Sequence, residues 1–132
     1  MYMLDTNICI LLINEKNPEL AQRIIDIPRD RVFISSVTLA ELEYGVAKSE
    51  RIKENSQSLK QFISVFNVVG FDEMAAEEYG DIRAALEREG KTIGPLDMLI
   101  AAHARSRNNT IVTNNTKEFV RVNRLSVENW TS

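Results

Sequence analysis

Asp5, Glu41, Asp97 and Glu118 are the acids best placed to do chemistry, with Asn115 beside the last of them. Asp5 stands directly behind the apolar stretch "YML" (2–4), and Glu41 lies early in the segment that leaves "RVFIS" (31–35). Asn115 follows "TIVT" (110–113), Glu118 comes three residues later, and Asp97 opens the apolar segment that feeds "TIVT". Gathered at one point, four carboxylates would resist joint ionisation. A hard divalent cation, Mg²⁺ or Mn²⁺, is the usual neutraliser and prefers such oxygen ligands. Taken singly, each residue has a plainer use. Asp5 suits a helix N-cap, Asp97 a first helical turn, Glu41 a solvated helix face like its neighbour Glu43, and Asn115 and Glu118 a turn. Only convergence makes them a site.

Convergence depends on the elements that carry them. Short apolar runs alternate with stretches of helical periodicity, and no repeat, linker or low-complexity segment interrupts the series. "YML" predicts a first strand and "NICILLIN" the helix after it. Asn17-Pro18 reads as cap and first position of a helix to about Ile27, stopped by Pro28. "RVFIS" is β-branched and aromatic, and Ser35 or Ser36 can cap the helix "VTLAELEYGVAKS". An amphipathic helix over 50–66 spaces Ile52, Leu59, Phe62, Ile63 and Phe66 along one side. A strand over "NVVGF" (67–71) leads to a helix capped by Asp72 and closed by Gly90. Gly94-Pro95 starts "LDMLIAAHARS", apolar nearly all round and hence buried. "TIVT" is the last long strand, followed by a polar turn "NNTKEF" and a short closing segment near "LSVENW". Strands separated by helices predict a mainly parallel sheet in a three-layer α/β/α domain spanning 1–132. In such sheets ligands gather beyond the carboxyl ends of the strands, which is where Asp5, Asn115 and Glu118 fall.

Composition removes other classes. Of the 132 residues 44% are hydrophobic and 27% charged, the balance of a water-soluble globular chain. The run at 8–13 is far shorter than a membrane span, and Asp5 breaks the N-terminus where a secretory signal would be apolar, so a cytoplasmic protein without a membrane partner is expected. One cysteine, Cys9, excludes an intrachain disulfide and a cysteine metal cluster, and fits a small buried hydrophobe. The net charge of −3 hides an asymmetry. Acids crowd 72–89, whereas Arg105, Arg107, Lys117, Arg121 and Arg124 face only Glu118 between 103 and 124, a local basic face. The single histidine, His103, lies six residues after Asp97 and so on another side of its helix; a buried hydrogen-bonded role is expected. One histidine cannot supply the separate acid and base of a metal-free ribonuclease. Tyr44, Tyr79 and Trp130 read as packing residues with a polar tip. A phosphatase of the Asp-x-Asp kind would need an acid where Asn7 stands, and no glycine-rich loop supports nucleotide binding.

"MLDTN", "ISSVTLAELEYG", "IGPLDMLIAAHA" and "IVTNNTKEF", in that order and spacing, resemble the PIN-domain ribonucleases, and most closely the VapC toxins of bacterial toxin–antitoxin pairs. The likeness covers essentially the whole chain, down to "VENW". It implies an endoribonuclease dependent on Mg²⁺, with Mn²⁺ as substitute, in which Asp5, Glu41 and Asp97 hold the metal and Glu118 supplies the further acid. Many members carry Asp where this chain has Asn115. A neutral Asn115 can orient a water or phosphate but leaves a second metal short of charge. Thr6 and Thr113 would be supporting hydroxyls. The resemblance further implies an RNA substrate, with the "IGPLD" and "TNNTKEF" segments suggesting initiator tRNA cut in its anticodon stem–loop. It implies a homodimer and a cognate VapB-type antitoxin in a larger complex, the antitoxin placing an arginine among the carboxylates. Arg83, Lys91, Arg105, Lys117 and Arg121 are candidate guides for the RNA backbone. The alternative is a metal-free scaffold of the same fold that binds RNA or protein without cleavage.

Overall fold

The computed structural model describes residues 1–131. Five strands run β1 (Tyr2–Leu4), β2 (Val32–Ser35), β3 (Asn67–Val69), β4 (Thr110–Val112) and β5 (Val127–Glu128), in the spatial order β3-β2-β1-β4-β5 with every pair parallel. Tyr2, Met3 and Leu4 stand opposite Val32, Phe33 and Ile34 on one side and Thr110, Ile111 and Val112 on the other. The first strand is therefore the centre of the sheet. The order reverses beside β1, and the crevice this makes at the carboxyl ends of the strands is where Asp5 emerges.

Among the described residues seven α-helices accompany them, α1 (Thr6–Ile13), α2 (Pro18–Ile25), α3 (Ser36–Ala47), α4 (Ile52–Ile63), α5 (Glu73–Glu89), α6 (Pro95–Ser106) and α7 (Thr116–Phe119). Strand alternation sends Leu4, Ile34 and Val112 into one core with Ile8, Leu20, Leu42 and Leu59 of α1–α4. Met3 and Ile111 point the other way, into a second core with Ile82, Leu86, Ile100 and Phe119 of α5–α7. These are the three expected layers. The caps agree with the sequence. Asn17, Ser35 and Asp72 accept bonds from Leu20 N, Val37 N and Ala75 N, and Gly90 closes α5 at φ 66°, a left-handed conformation that glycine adopts without strain. Among the described residues no helix is long and apolar enough to cross a membrane.

Several boundaries differ from expectation. Arg29–Arg31 forms a single tight turn before β2, α4 occupies only Ile52–Ile63, and the turn "NNTKEF" contains the helical turn α7, whose Phe119 is fully buried. That buried ring anchors the segment bearing Glu118.

Candidate active site

Asp5 caps α1 and stands at the carboxyl end of β1. Its backbone N–H still bonds Val112 O at 3.0 Å, as a continuation of the sheet, while its Oδ1 accepts the Ile8 N–H at 2.9 Å and starts α1. Its carboxylate is almost fully buried, and Thr113 hydrogen-bonds to it. Burial pushes its pKa up, the Thr113 and Ile8 bonds pull the other way, and Glu41 raises it again.

Glu41 arrives from the second turn of α3, half-buried, with Oε1 accepting the Thr6 hydroxyl at 2.8 Å; Thr6 Oγ1 also lies 3.3 Å from Thr38 Oγ1. Glu43, which composition could not separate from it, is exposed. Asp97 enters in the first turn of α6. Glu118 stands on α7, its Oε2 accepting the Asn115 side-chain N–H at 2.8 Å, and Asn115 is steadied through its backbone N–H to Thr113 Oγ1 at 2.8 Å. Thr113 thus touches both ends of the site.

The acids sense one another. Asp97 is pushed up to about 7, first by burial, then by its hydrogen bond with Glu118, then by the charges of Glu118, Asp5 and Glu41. Four elements remote in sequence therefore deliver carboxylates to one field. Among the described residues no three of them close into a tight coordination cluster; Asp5, Glu41 and Glu118 are held by Thr113, Thr6 and Asn115, while Asp97 bonds Glu118 itself. The donor set is all oxygen and its charge is resisted by its own repulsion. It fits a hard divalent cation and would not suit a soft one.

Other assignments resolve differently. His103 is buried, with Nδ1 2.7 Å from Ser35 Oγ, the Gly70 carbonyl as its other partner and the Phe71 ring edge-on at 5.5 Å. Burial, then Arg107, lower its pKa, so it is a neutral structural residue away from the carboxylates. Arg105 is not a guide for RNA. It is 8% exposed, with Nε 2.8 Å from Glu78, Nη2 2.6 Å from Asp81 and Nη1 donating to Asn123 O. The basic run after 103 is thus partly folded onto the acids of α5, and Arg124 also pairs with Asp81 at 3.4 Å. Arg83 bonds Glu87 and Tyr79, and Arg121 bonds Thr92 O. Trp130 packs against Tyr2 as expected, but Tyr44 is 66% exposed and packs in neither core. Thr38, a buried hydroxyl beside Thr6, was not singled out from sequence, although its place one turn before Glu41 on α3 marks it.

Beside Glu41 a groove of about 330 Å³ runs between α1, α3 and α4, with Ile10, Ile13, Leu42, Val46 and Leu59 in its lining. The expected apolar stripe of α4 contributes there only through Leu59.

The PIN domain model matches residues 2–125. The chain is 46% identical over 129 residues to the tRNA(fMet)-specific endonuclease VapC of Shigella flexneri, covering 98% of this chain and 97% of that protein. It is 43% identical over 132 residues to ribonuclease VapC2 of Rickettsia felis, covering 98% of each. The crystal structure of VapBC2 from Rickettsia felis bound to a promoter DNA fragment superposes with a TM-score of 0.93 at 41% identity, covering 98% of both chains. The chain belongs to the PIN-domain family, among its VapC ribonucleases.

Proposed function

We propose that this chain is the toxin of a VapBC-type pair, a Mg²⁺-dependent endoribonuclease whose Asp5, Glu41 and Asp97, with Glu118, hold the cation and whose substrate is a tRNA. The observation that carries the reading is the delivery of Asp5, Glu41, Asp97 and Glu118 from four separate elements to one field, where burial first and then the neighbouring carboxylates raise Asp97 to about 7, an unfavourable arrangement that a cation relieves. The similarity to a tRNA(fMet)-specific endonuclease supports initiator tRNA and its anticodon stem–loop as the target. Mn²⁺ would substitute for Mg²⁺.

When bound, the divalent ion lowers the pKa of a water and stabilises charge on the phosphoryl oxygens. The chain's own groups prepare for it. Thr6 fixes the Glu41 carboxylate, Asn115 fixes that of Glu118, and Asp97, bonded to Glu118, can hold a proton near neutral pH. His103, the chain's one histidine, is buried with Nδ1 bonded to Ser35, and so is not free to activate the RNA 2′-hydroxyl. Attack by water leaves a 5′-phosphate and a 3′-hydroxyl.

The superposition on VapBC complexes supports a VapB-type antitoxin as partner, and we place the chain as a homodimer within that complex. The groove beside Glu41 suits an apolar antitoxin segment, and an arginine at its end would pair with the carboxylates and compete with the cation. We place the active protein in the cytoplasm, working as one PIN unit.

The test is cleavage of tRNA followed by ligation of the downstream fragment to an adaptor requiring a 5′-phosphate. Asp5→Ala, Glu41→Ala and Asp97→Ala should each abolish cleavage, EDTA should stop it, and exposed Glu43→Ala should be silent. Cyclic phosphate ends, or cleavage that persists in EDTA, would refute the mechanism.

A further inference from the structure

Tyr44 is a large aromatic side chain with 66% of its surface in water, in a chain whose other aromatic residues are at least partly covered. It lies three residues after Glu41 on α3, and Lys48, seven after Glu41, holds its ammonium 4.9 Å from the Tyr44 ring centroid. Residues three, four and seven apart on a helix share a side, with about 5–6 Å between neighbouring Cβ atoms. Glu41, Tyr44 and Lys48 therefore form one stripe, from the carboxylate to an aromatic face to a cation. Leu42 and Val46 turn away from Tyr44 to the apolar groove, which the stripe meets only at Glu41. No acid interrupts the stripe between Glu41 and Lys48, because Glu43 points to another side.

Resting on the ribonuclease reading above, we propose that Tyr44 is a specificity-determining residue that stacks an unpaired base of the RNA next to the scissile phosphate, while Lys48 contacts the adjoining backbone phosphate. Unpaired bases of RNA loops are recognised by stacking on aromatic rings, and a neighbouring cation supplies the phosphate contact. Lys48 at one part of the ring both orients it and leaves an open face. The chain's net charge of −3 makes such a local contact more necessary, because no overall basic field draws RNA to an acidic site. The preference would be for a substrate with a single-stranded loop over a continuous duplex.

Steady-state cleavage of an RNA hairpin, with 2-aminopurine placed at successive loop positions, tests this in the full chain with Mg²⁺ or Mn²⁺. Tyr44→Ala should raise KM about tenfold with kcat nearly unchanged, as expected for loss of one base–aromatic stack. Tyr44→Phe should behave like the parent, and Lys48→Met should raise KM less and flatten its salt dependence. One loop position should show 2-aminopurine quenching with the parent and Tyr44→Phe but not with Tyr44→Ala. Thermal melting and Mn²⁺ titration should be the same for all three variants. An unchanged KM for Tyr44→Ala on a parent that cleaves would overturn the stack alone. An unchanged KM accompanied by loss of dimerisation or antitoxin capture would make Tyr44 a protein contact and equally overturn it. A parent inert on RNA would bring down the stack together with the ribonuclease reading.

Discussion

Thr6 donates its hydroxyl to Glu41 Oε1 at 2.8 Å, joining the first residue of α1 to the second turn of α3. The residue before Thr6 is Asp5, so one dipeptide supplies a carboxylate and the hydroxyl that orients another. Thr38, 3.3 Å from Thr6, is fully buried and keeps this junction from relaxing toward solvent. The Glu41 carboxylate is consequently set before any ligand arrives. Preorganisation of this kind shifts affinity without altering the ligand set.

Thr6→Val keeps the shape of the side chain and removes the donor. It is expected to weaken Mn²⁺ binding by about tenfold, within the range for groups that support metal ligands, and to lower cleavage at sub-saturating metal. Thr6→Ser should restore both. Calorimetric titration of the three proteins decides it, and equal affinities would show that Thr6 has no part in orienting Glu41.

Asn115 and Glu118 are expected to separate by degree. Glu118→Ala removes a charge from the field around Asp97, whereas Asn115→Ala removes only the 2.8 Å bond that holds it. Cleavage should fall further for Glu118→Ala, with Asn115→Ala intermediate between it and the parent. Asn115→Asp puts a repelling acid against Glu118 and should lower the melting temperature of the metal-free protein while increasing the gain on adding Mn²⁺. A melting curve that ignores the added charge would remove Asn115 from the site.

Much of this was written locally in the chain. Asn17, Ser35, Asp72 and Gly90 announced helix ends through chemistry within three residues, and the alternation of apolar strands with helical stripes led to the parallel sheet. Asp5, Asn115 and Glu118 were legible because a parallel sheet delivers the residues just past its strands to one edge. Features that depended on a remote neighbour were not legible. Arg105 reads as a surface cation until Glu78 and Asp81 of α5 are packed beside it, and Tyr44 reads as core until α3 turns it outward. Nor could spacing show that Thr6 reaches Glu41, or that α7 would be a helical turn held by the buried ring of Phe119.

Arg105→Met should destabilise without disarming. The substitution leaves Glu78 without its guanidinium and Asn123 O without its donor. The cost should be on the order of 2 kcal/mol, below that of a fully buried pair because Glu78 stays partly hydrated. Arg105, ahead of Arg124 and Arg88, also holds the Asp81 carboxyl below its ordinary pKa, a contribution present at neutral pH and lost as pH falls through the depressed value. Urea denaturation of parent and variant should therefore differ at neutral pH and converge on acidification. kcat at a temperature where both are folded should match. A variant that is equally stable but inactive would return Arg105 to the substrate.

Asp97 supplies the pH dependence of the site. Its pKa is raised from 3.8 to about 7, so between those values the metal-free native state holds a proton that the unfolded chain has released. Stability must then fall as pH rises through that window, the reverse of a salt-bridged carboxylate. Asp97→Asn removes the buried charge and with it the repulsion, and the metal-free variant should melt a few degrees above the parent at about pH 8 yet at nearly the same temperature at about pH 4. A divalent cation needs the ionised form, so Mn²⁺ affinity of the parent should climb with pH until about 7 and then level. Binding below that point should release a proton, which titration in buffers of different ionisation enthalpy would detect. Asp97→Asn, with no proton to give up there, should bind Mn²⁺ weakly and without that slope. If parent and variant melt alike at about pH 8, the Asp97 charge is strained neither by burial nor by Asp5, Glu41 and Glu118, and the shared field on which the site rests does not exist.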